Sequence, residues 1–345
     1  MLKLNETPVR TSRNFLINNI KIEDVQIPVN LENFNNFSVI GANYSSKINN
    51  KKELKYGTGK ILEKNIIENS NNNISVDLKD NENIQIIYDF DENNLNLVNQ
   101  IEINTIGNSN ILIEYKSHTD KKCFHNGMIK VFAQENSNVN VVIVNLLNEY
   151  SDNFETIENE ISNGANLNYT IIDIGGKNSV SNYYSNIIGE NAKNDLKTIY
   201  LGLDNQLKDI NYIAELKGKK SFIDIDVQGA LKGKAKKNFK GTIDFKKGCK
   251  KAKGNENEFC MLLSDKARSI ALPMLLCTEE DVEGNHSTAS GKVDNEQLFY
   301  IMSRGLSYNE AIKLIVRAKF NQIIERITDK DIKQEVIEEI DRRLD

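Results

Sequence analysis

Few residues of this 345-residue chain could carry chemistry, and those few are scattered. His118, Cys123 and His125 lie close together and suggest part of a zinc site. A structural zinc ion takes four ligands, and no second pair of histidines or cysteines follows at the spacing of a zinc finger. The sequence contains no C-x-x-C pair either. We therefore interpret these three residues as ordinary turn and surface residues.

Residues 56–60, with the sequence YGTGK, invite comparison with a phosphate-binding loop. That loop requires a glycine five residues before its Gly-Lys pair and a serine or threonine after the lysine. Leu54 and Ile61 occupy those positions, so the segment predicts a turn between two elements. No G-x-S-x-G, H-E-x-x-H or glycine-rich dinucleotide motif is present, and spacing singles out no pair of carboxylates. The sequence therefore predicts a protein without a catalytic centre of its own.

Lysines crowd residues 217–253. One interpretation is a basic strip for an acidic or phosphate-bearing partner, and the other is a solvated face that protects a sheet edge. Few aromatic residues are interleaved, which argues against a groove for nucleic acid. We favour the solvated face for Lys217, Lys219, Lys220, Lys232, Lys234, Lys236, Lys237, Lys240, Lys246, Lys247, Lys250, Lys251 and Lys253.

Composition narrows the class of protein further. The formal net charge of −5 argues against a general binder of nucleic acid or anionic membranes. The first residues lack the apolar run of a signal peptide, and no stretch reaches the length of a transmembrane helix. The four unevenly spaced cysteines are not expected to form disulfides in such a protein. We therefore expect a globular protein located in the cytoplasm.

Between about residues 71 and 277, short apolar runs alternate with turn residues. Related turns recur at intervals of roughly 25–30 residues, which is typical of stacked-repeat architectures. One coil cannot bury its own apolar face, whereas stacked coils bury a continuous core and pair their backbone groups. We therefore predict a mainly β solenoid, with a β-sandwich as the alternative. The predicted strands are NISVDL, NIQIIYDF, NILIEY, MIKVFA, NVVIVNLL, NYTIIDI, LKTIYLGL and SFIDIDVQG.

The pattern divides the chain into three zones: a mixed segment at residues 1–70, a β-helix core at 71–290 and a helical region at 291–345. Capping residues predict helix starts at Asp294 and Ser307, and Gly305 is placed to end the first helix. We expect the helical region to close the solenoid and to offer a docking face.

A string of residues at fixed spacing marks residues 261–320: Ser264-Asp265-Lys266-Ala267, Pro273, Asp281-Val282, His286, Gly291, Asp294, Leu298-Phe299-Tyr300, Ser303-Arg304-Gly305-Leu306 and Glu310-Ala311. With these marks the segment resembles the SufB/SufD family, scaffold subunits of an iron–sulfur cluster assembly complex. The resemblance implies a right-handed parallel β-helix with small N-terminal and C-terminal helical regions.

Within this family the chain is most similar to the SufD branch. SufB-type proteins usually carry a cysteine where this chain has Ala267, and alanine cannot supply the thiolate that an iron–sulfur cluster prefers. Some SufD-type members have a cysteine where this chain has Gly284. His286 is then the family-matched candidate ligand for iron or a cluster at a subunit interface. The alternative is a hydrogen-bonded interface histidine without a metal. We expect Cys260 and Cys277 to be buried structural thiols.

The resemblance also implies a mechanism and partners. Phe299, Tyr300, Arg304, Gly305 and Phe320 would dock an ABC-type ATPase, the SufC-like subunit. The solenoid end would pair with a SufB-like subunit, and a transient iron–sulfur cluster would be shared between the two. The chain alone would hold no tightly bound cofactor, and neither nucleic acid nor a membrane would be a partner. Two alternatives remain open: a SufB-like scaffold that itself holds the cluster, and, more distantly, a β-helix carbohydrate-active or adhesive protein.

Overall fold

The computed structural model describes residues 1–11, 17–48 and 54–345. The N-terminal segment contains β1 (Leu2–Leu4), β2 (Ile20–Ile22), β3 (Phe37–Ile40) and α1 (Lys60–Asn69). Sixteen strands follow in the described chain: β4 (Asn72–Leu78), β5 (Glu82–Phe90), β6 (Asn96–Thr105), β7 (Asn108–Ser117), β8 (Phe124–Ala133), β9 (Asn138–Leu146), β10 (Asp152–Ile161), β11 (Asn166–Asp173), β12 (Asn178–Ile187), β13 (Lys193–Gly202), β14 (Leu207–Leu216), β15 (Phe222–Leu231), β16 (Lys236–Phe245), β17 (Ala252–Leu262), β18 (Arg268–Cys277) and β19 (Val282–Lys292). Three helices end the chain: α2 (Asn295–Ser303), α3 (Tyr308–Ile324) and α4 (Lys330–Leu344).

The predicted mainly β solenoid is confirmed by the strand pairing. From β4 onward each strand pairs in parallel with the strand two positions later, so the chain winds through two sheets in alternation. The even-numbered strands form an eight-stranded sheet that ends at β18, and the odd-numbered strands form a nine-stranded sheet that ends at β19. Continuous parallel pairing excludes the β-sandwich, whose sheets are antiparallel.

The corner between the two sheets repeats from coil to coil. Asn136, Gly164, Asn191, Lys220 and Lys251 each occupy it with a positive φ between 56° and 65°. Asparagine and glycine tolerate this left-handed conformation best, which explains why the related turns are visible in the sequence. The backbone N–H of one corner donates to the carbonyl of the next coil, for example from Asn136 to Asn163 at 2.9 Å. The turns therefore set the stacking as well as the reversal of direction.

The solenoid interior is filled by alternate residues of both sheets. Ile, Val, Leu and Tyr side chains from every coil form one continuous buried cluster. The tyrosines Tyr183 and Tyr212 stack edge to face in successive coils, with ring centroids 5.6 Å apart. This arrangement follows directly from the period-two pattern, because alternate side chains of a strand point to opposite faces.

The N-terminal segment covers the outer face of the eight-stranded sheet. Apolar residues of β1, β2 and α1 pack on outward residues such as Phe124 and Phe154. The Asn5 amide donates to the Asp209 carboxylate at 2.7 Å, and the Thr58 N–H donates to the Thr156 hydroxyl at 3.1 Å. The YGTGK segment is the turn before α1, as predicted.

The C-terminal helices cover the opposite flank of the rod. The helix starts predicted at Asp294 and Ser307 are both present, and Gly305 follows α2 with φ +101°. Buried faces of α3 and α4 pack on outward apolar residues of the nine-stranded sheet, including Val144, Ile172 and Ile199. Our expectation that the helices close the solenoid is therefore wrong: those outward columns are apolar and must be covered, so the helices lie along the side.

No helix in the described ranges combines the length and the apolarity needed to cross a membrane.

Candidate functional site

The last coil of the solenoid is open. Strand β18 pairs only with β16, and β19 only with β17, so each leaves one edge unpaired within the described chain. Most residues of β19 are exposed, in contrast to the buried strands of the preceding coils. A long exposed edge offers a row of backbone N–H and C=O groups to another chain. This end of the rod is therefore suited to pairing with a partner.

His286 lies on β19 and faces the interior side of this open end. Gly284 is on the same face, and a Cβ built there would contact Phe245 and Leu275 of the core at 3.0 and 3.3 Å. The imidazole is exposed and forms no hydrogen bond with any described residue. In the register of the sheet it lies directly above Glu256 of β17. A neutral imidazole in such a position can bind a metal or a partner.

Three ionisable groups occupy the interior just below His286. Lys237 and Glu258 form a fully buried ion pair at 2.7 Å, and the Tyr200 hydroxyl donates to the same carboxylate at 2.9 Å. Glu256, two residues away on the same face, is 0% exposed, and neither carboxylate oxygen has a hydrogen-bond partner in the described chain. Burial, together with the neighbouring Glu258, raises the pKa of Glu256 to about 8. The acid is therefore largely protonated at neutral pH.

The buried lysine corrects one of our predictions. Lys237 and Lys240 do not belong to a solvated face, since they are 0% and 1% exposed and pair with Glu258 and Asp209. Burying a charged lysine is costly unless its charge is matched, and here the matching carboxylates come from other strands. The described lysines at the sheet corners, such as Lys219 and Lys220, are exposed as expected.

Among the cysteines of the described chain, Cys277 alone is exposed. Ala267 lies in the turn before β18, where a SufB-type protein would carry its cysteine, and is 8% exposed. Cys260 is buried as predicted, and burial raises its pKa. The prediction for Cys277 is wrong, because it is exposed and its Sγ donates to the Glu279 carbonyl at 2.8 Å. It lies at the end of the edge strand, where no further coil covers it.

The remaining histidines and cysteines form no metal centre. Within the described ranges, no group of three or more His, Cys, Asp or Glu residues could hold a metal ion. His118 is an exposed residue that contacts Asp89 at 2.7 Å, as predicted. Cys123 and His125 are buried, so their assignment to the surface is wrong. Burial lowers the pKa of His125 to about 4, and its Nδ1 contacts Asn153 at 2.6 Å.

A second candidate site is the exposed face of α2, which we call the aromatic surface. The amphipathic α2 packs inward through Leu298 and Ile301 and leaves Phe299 and Tyr300 75% and 58% exposed. The Arg304 guanidinium lies 5.1 Å from the Tyr300 ring and donates to its hydroxyl at 3.1 Å. The surface consists of Phe299, Tyr300, Met302 and Arg304, of which Met302 was not predicted.

Phe320 does not belong to the aromatic surface. It is 1% exposed and packs in the cluster that holds α3 and α4 against the sheet. Its position on the inner face of α3 removes it from any docking role in this structure. Ile312, Val316 and Phe320 recur every four residues along α3, the spacing of one helix face, and this pattern was the signal in the sequence.

A groove of about 730 Å³ lies between the α3–α4 connection and the nine-stranded sheet. Its floor is a ladder of amides in which Asn110, Asn140 and Asn168 each donate to the asparagine one coil below, at 2.8 to 3.0 Å. Asp195 on its wall is paired with Arg326 at 2.7 Å, and Asp329 caps α4. The carboxylates are thus engaged structurally, which gives the carbohydrate-active alternative no support.

Comparisons with known proteins agree with the geometry. The family profile described as "SUF system FeS cluster assembly, SufBD core domain" matches residues 86–319, about two thirds of the chain. The iron–sulfur cluster assembly protein SufD of Bacillus subtilis is 30% identical over 166 residues, covering 48% of this chain and 38% of that protein. The SufBD family protein PH1385 of Pyrococcus horikoshii is 28% identical over 233 residues, covering 67% and 48%. SufD of Escherichia coli is 25% identical over 173 residues, covering 50% and 40%. The chain thus matches less than half the length of each of these relatives.

Proposed function

This chain belongs to the SufBD family of iron–sulfur cluster assembly proteins, and from that premise we propose that it acts as the SufD-type subunit of a SUF assembly complex. In this role it is a scaffold without an active site of its own. It pairs with a SufB-like subunit that holds the nascent cluster and docks a SufC-like ABC-type ATPase. The complex works in the cytoplasm, in keeping with the free state of all four cysteines.

The shortage of exposed thiols at the open end supports the SufD assignment. A nascent cluster needs soft thiolate ligands. Ala267 supplies none, and burial raises the pKa of Cys260 and, to about 11, that of Cys249. Cys277, the last residue of β18, is exposed and in register with the core residue Phe245, so it shares the interior face, but it is a single thiol. The donors that remain at this end are the single thiol of Cys277 and the imidazole of His286, which fit supporting ligands rather than a complete cluster site.

The unpaired edges of β18 and β19 support the pairing with a SufB-like subunit. A homologous chain would present the same two edges, so two solenoids could join end to end and continue both sheets. Such edge pairing forms main-chain hydrogen bonds and removes the exposed edge. His286 would then lie at the junction, where the neighbour's thiolates could reach the same cluster.

The aromatic surface supports docking of the ATPase. Exposed aromatic residues and arginine are enriched at the centres of protein interfaces. Phe299 and Tyr300 lie on α2, whose inner face packs against the solenoid. A force applied to α2 by a docked ATPase would therefore be transmitted to the last coil. Nucleotide-driven movement of the ATPase could in this way open the junction between the two solenoids.

Affinity capture of the tagged chain from its native cells tests the assignment. We expect to recover an ABC-type ATPase together with a homologous subunit that has a cysteine at the position of Ala267. The double variant F299A/Y300A should lose the ATPase and keep the homologue. The matched control I61A/I67A removes two apolar side chains of α1 that are 58% and 70% exposed, and it should lose neither.

Anaerobic reconstitution with ferrous iron and sulfide separates the SufD-type role from that of a SufB-like scaffold. The chain alone should form no stable cluster, as followed by its visible absorbance and by iron and sulfide analysis. A stoichiometric cluster that survives gel filtration would replace the SufD assignment with the SufB-like one.

A further inference from the structure

Glu256 is an unusual residue for a solenoid interior. It is 0% exposed, and neither oxygen of its carboxylate has a hydrogen-bond partner in the described ranges. Leaving a buried polar group unpaired is costly, and native proteins retain such groups where they serve a purpose. Glu258 shows the ordinary arrangement two residues away, because it pairs with Lys237 at 2.7 Å and accepts from Tyr200 at 2.9 Å. Glu256 therefore has an unused binding capacity that its neighbour lacks.

The space around Glu256 is shaped for its carboxylate. Gly241 lies opposite on β16, and a Cβ built there would overlap the carboxylate atoms of Glu256. Any other residue at position 241 would displace the acid from its place across the lumen. Gly241 pairs in register with Pro273 of β18, so the acid lies one coil below the open end. The glycine thus permits a conformation that the acid's own hydrogen bonding does not explain.

Glu256 and His286 are neighbours on the same face of adjacent strands. They are register partners in β17 and β19, and paired residues of neighbouring strands are about 4.8 Å apart. Side chains at such positions leave their strands on the same face, so both residues are directed toward the interior at this end of the rod. Imidazole combined with carboxylate is a donor set suited to ferrous iron.

We propose that Glu256 is a second ligand, beside His286, for a ferrous ion received at the open end of the solenoid. This chain then provides a two-ligand half-site, and the paired subunit completes the coordination. The inference rests on the proposed function, because a role in iron–sulfur cluster assembly is the reason to choose iron as the ion that binds Glu256. The alternative occupant is a cationic side chain of the partner. The inference also assigns the acid a role that the family resemblance did not predict.

Anaerobic titration with ferrous ion, in competition with a colorimetric chelator, tests the half-site. It is carried out on the full chain alone and on the complex captured through it. The isosteric variant E256Q and the variant H286A should each weaken iron binding at least tenfold. The control E283Q removes an exposed carboxylate of β19 that pairs with Lys253, and its affinity should stay within twofold of the unmodified chain.

Two further measurements keep the test decisive. Thermal unfolding should show E256Q to be at least as stable as the unmodified chain, because glutamine keeps the shape and removes an unpaired buried acid. X-ray absorption at the iron edge should lose one oxygen ligand in E256Q and one nitrogen ligand in H286A.

Iron affinity unchanged in E256Q would overturn the inference, and so would the absence of ferrous binding by both the unmodified chain and its complex. Loss in H286A alone would leave His286 as a single ligand and reject Glu256. Capture of the homologous subunit is scored separately on the same variants. Iron bound through both residues without any captured subunit would reject the proposed function and support the half-site.

Discussion

Breaking the buried ion pair between Lys237 and Glu258 should lower the free energy of unfolding by an amount that follows from the structure. The two groups are 0% and 1% exposed and 2.7 Å apart. The variant K237M keeps the length and most of the volume of the side chain but removes its charge. Among the described residues, Glu258 would then keep only the Tyr200 hydroxyl as a donor. Breaking a buried pair in this way typically destabilises a protein by about 3–5 kcal/mol.

Protonation sets an upper bound on this loss. A glutamate in water has a pKa of about 4.3, and each pH unit above it makes neutralisation more costly by about 1.4 kcal/mol. Neutralising such a carboxylate therefore costs about 3.7 kcal/mol at pH 7 but only about 1 kcal/mol at pH 5. We expect K237M to lower the free energy of unfolding by about 3–4 kcal/mol at pH 7 and by about 1 kcal/mol at pH 5.

Urea unfolding followed by circular dichroism at both pH values measures this difference. The double variant K237M/E258Q should recover most of the loss at pH 7, since no buried charge remains. The control K253M breaks the exposed pair with Glu283 and should change the unfolding free energy by less than about 0.5 kcal/mol. A loss below about 1 kcal/mol at pH 7, or one of equal size at pH 5, would refute the reasoning.

Three further predictions concern the solenoid interior and its surface. G127A should destabilise the chain by about 1–3 kcal/mol in urea unfolding, because the added Cβ would lie 2.6 to 2.8 Å from three buried polar atoms; G291A, with nothing within 4 Å, should be nearly neutral and serves as its control. N140A should lower stability by about 1 kcal/mol, because it breaks two amide hydrogen bonds of 3.0 Å in the ladder; an unchanged urea midpoint would show that the ladder contributes nothing. The raised pKa of Glu256, about 8, favours its protonated form in the folded chain, so this group's contribution to stability is complete below the pKa of an unfolded glutamate and is lost as the pH rises toward 8. Urea midpoints at pH 6.5 and 8.5 should therefore fall less with pH in E256Q than in the unmodified chain, and equal slopes would contradict this.

The solenoid could be predicted because its determinants are local. Alternation of apolar residues marks each strand, and the corner residues, such as Asn136 and Gly164, mark each turn through their tolerance of positive φ. The helix starts could be predicted as well, since the N-terminal cap of α3 depends only on Ser307 and Glu310, three residues apart. These features need no knowledge of the rest of the chain.

The predictions about Lys237, His125 and Cys277 were wrong, and the reason lies in non-local contacts. From the sequence, Lys237 is predicted to lie at the surface, because Glu258, the carboxylate that pairs with it, comes from the other sheet. His125 is likewise predicted to be a turn residue, because its hydrogen-bond partner Asn153 lies in the next coil. Burial in a solenoid is decided between coils, and partners lie too far apart in sequence for a local pattern to reveal them. Cys277 was misjudged for the converse reason, because no further coil follows to cover it.

The amino-acid sequence by itself determined the repeat, the solenoid of short strands, the helical C-terminus and the family to which the chain belongs, because each of these depends on short-range periodicity or on marks at fixed spacing. Only the tertiary structure decided that the helices lie along the flank, that Phe320 faces inward, and that Glu256 lies unpaired beneath His286. Those outcomes depend on which coil stacks on which and on where the stacking stops. Packing between distant segments is a property of the whole fold, and no single stretch of the chain contains it.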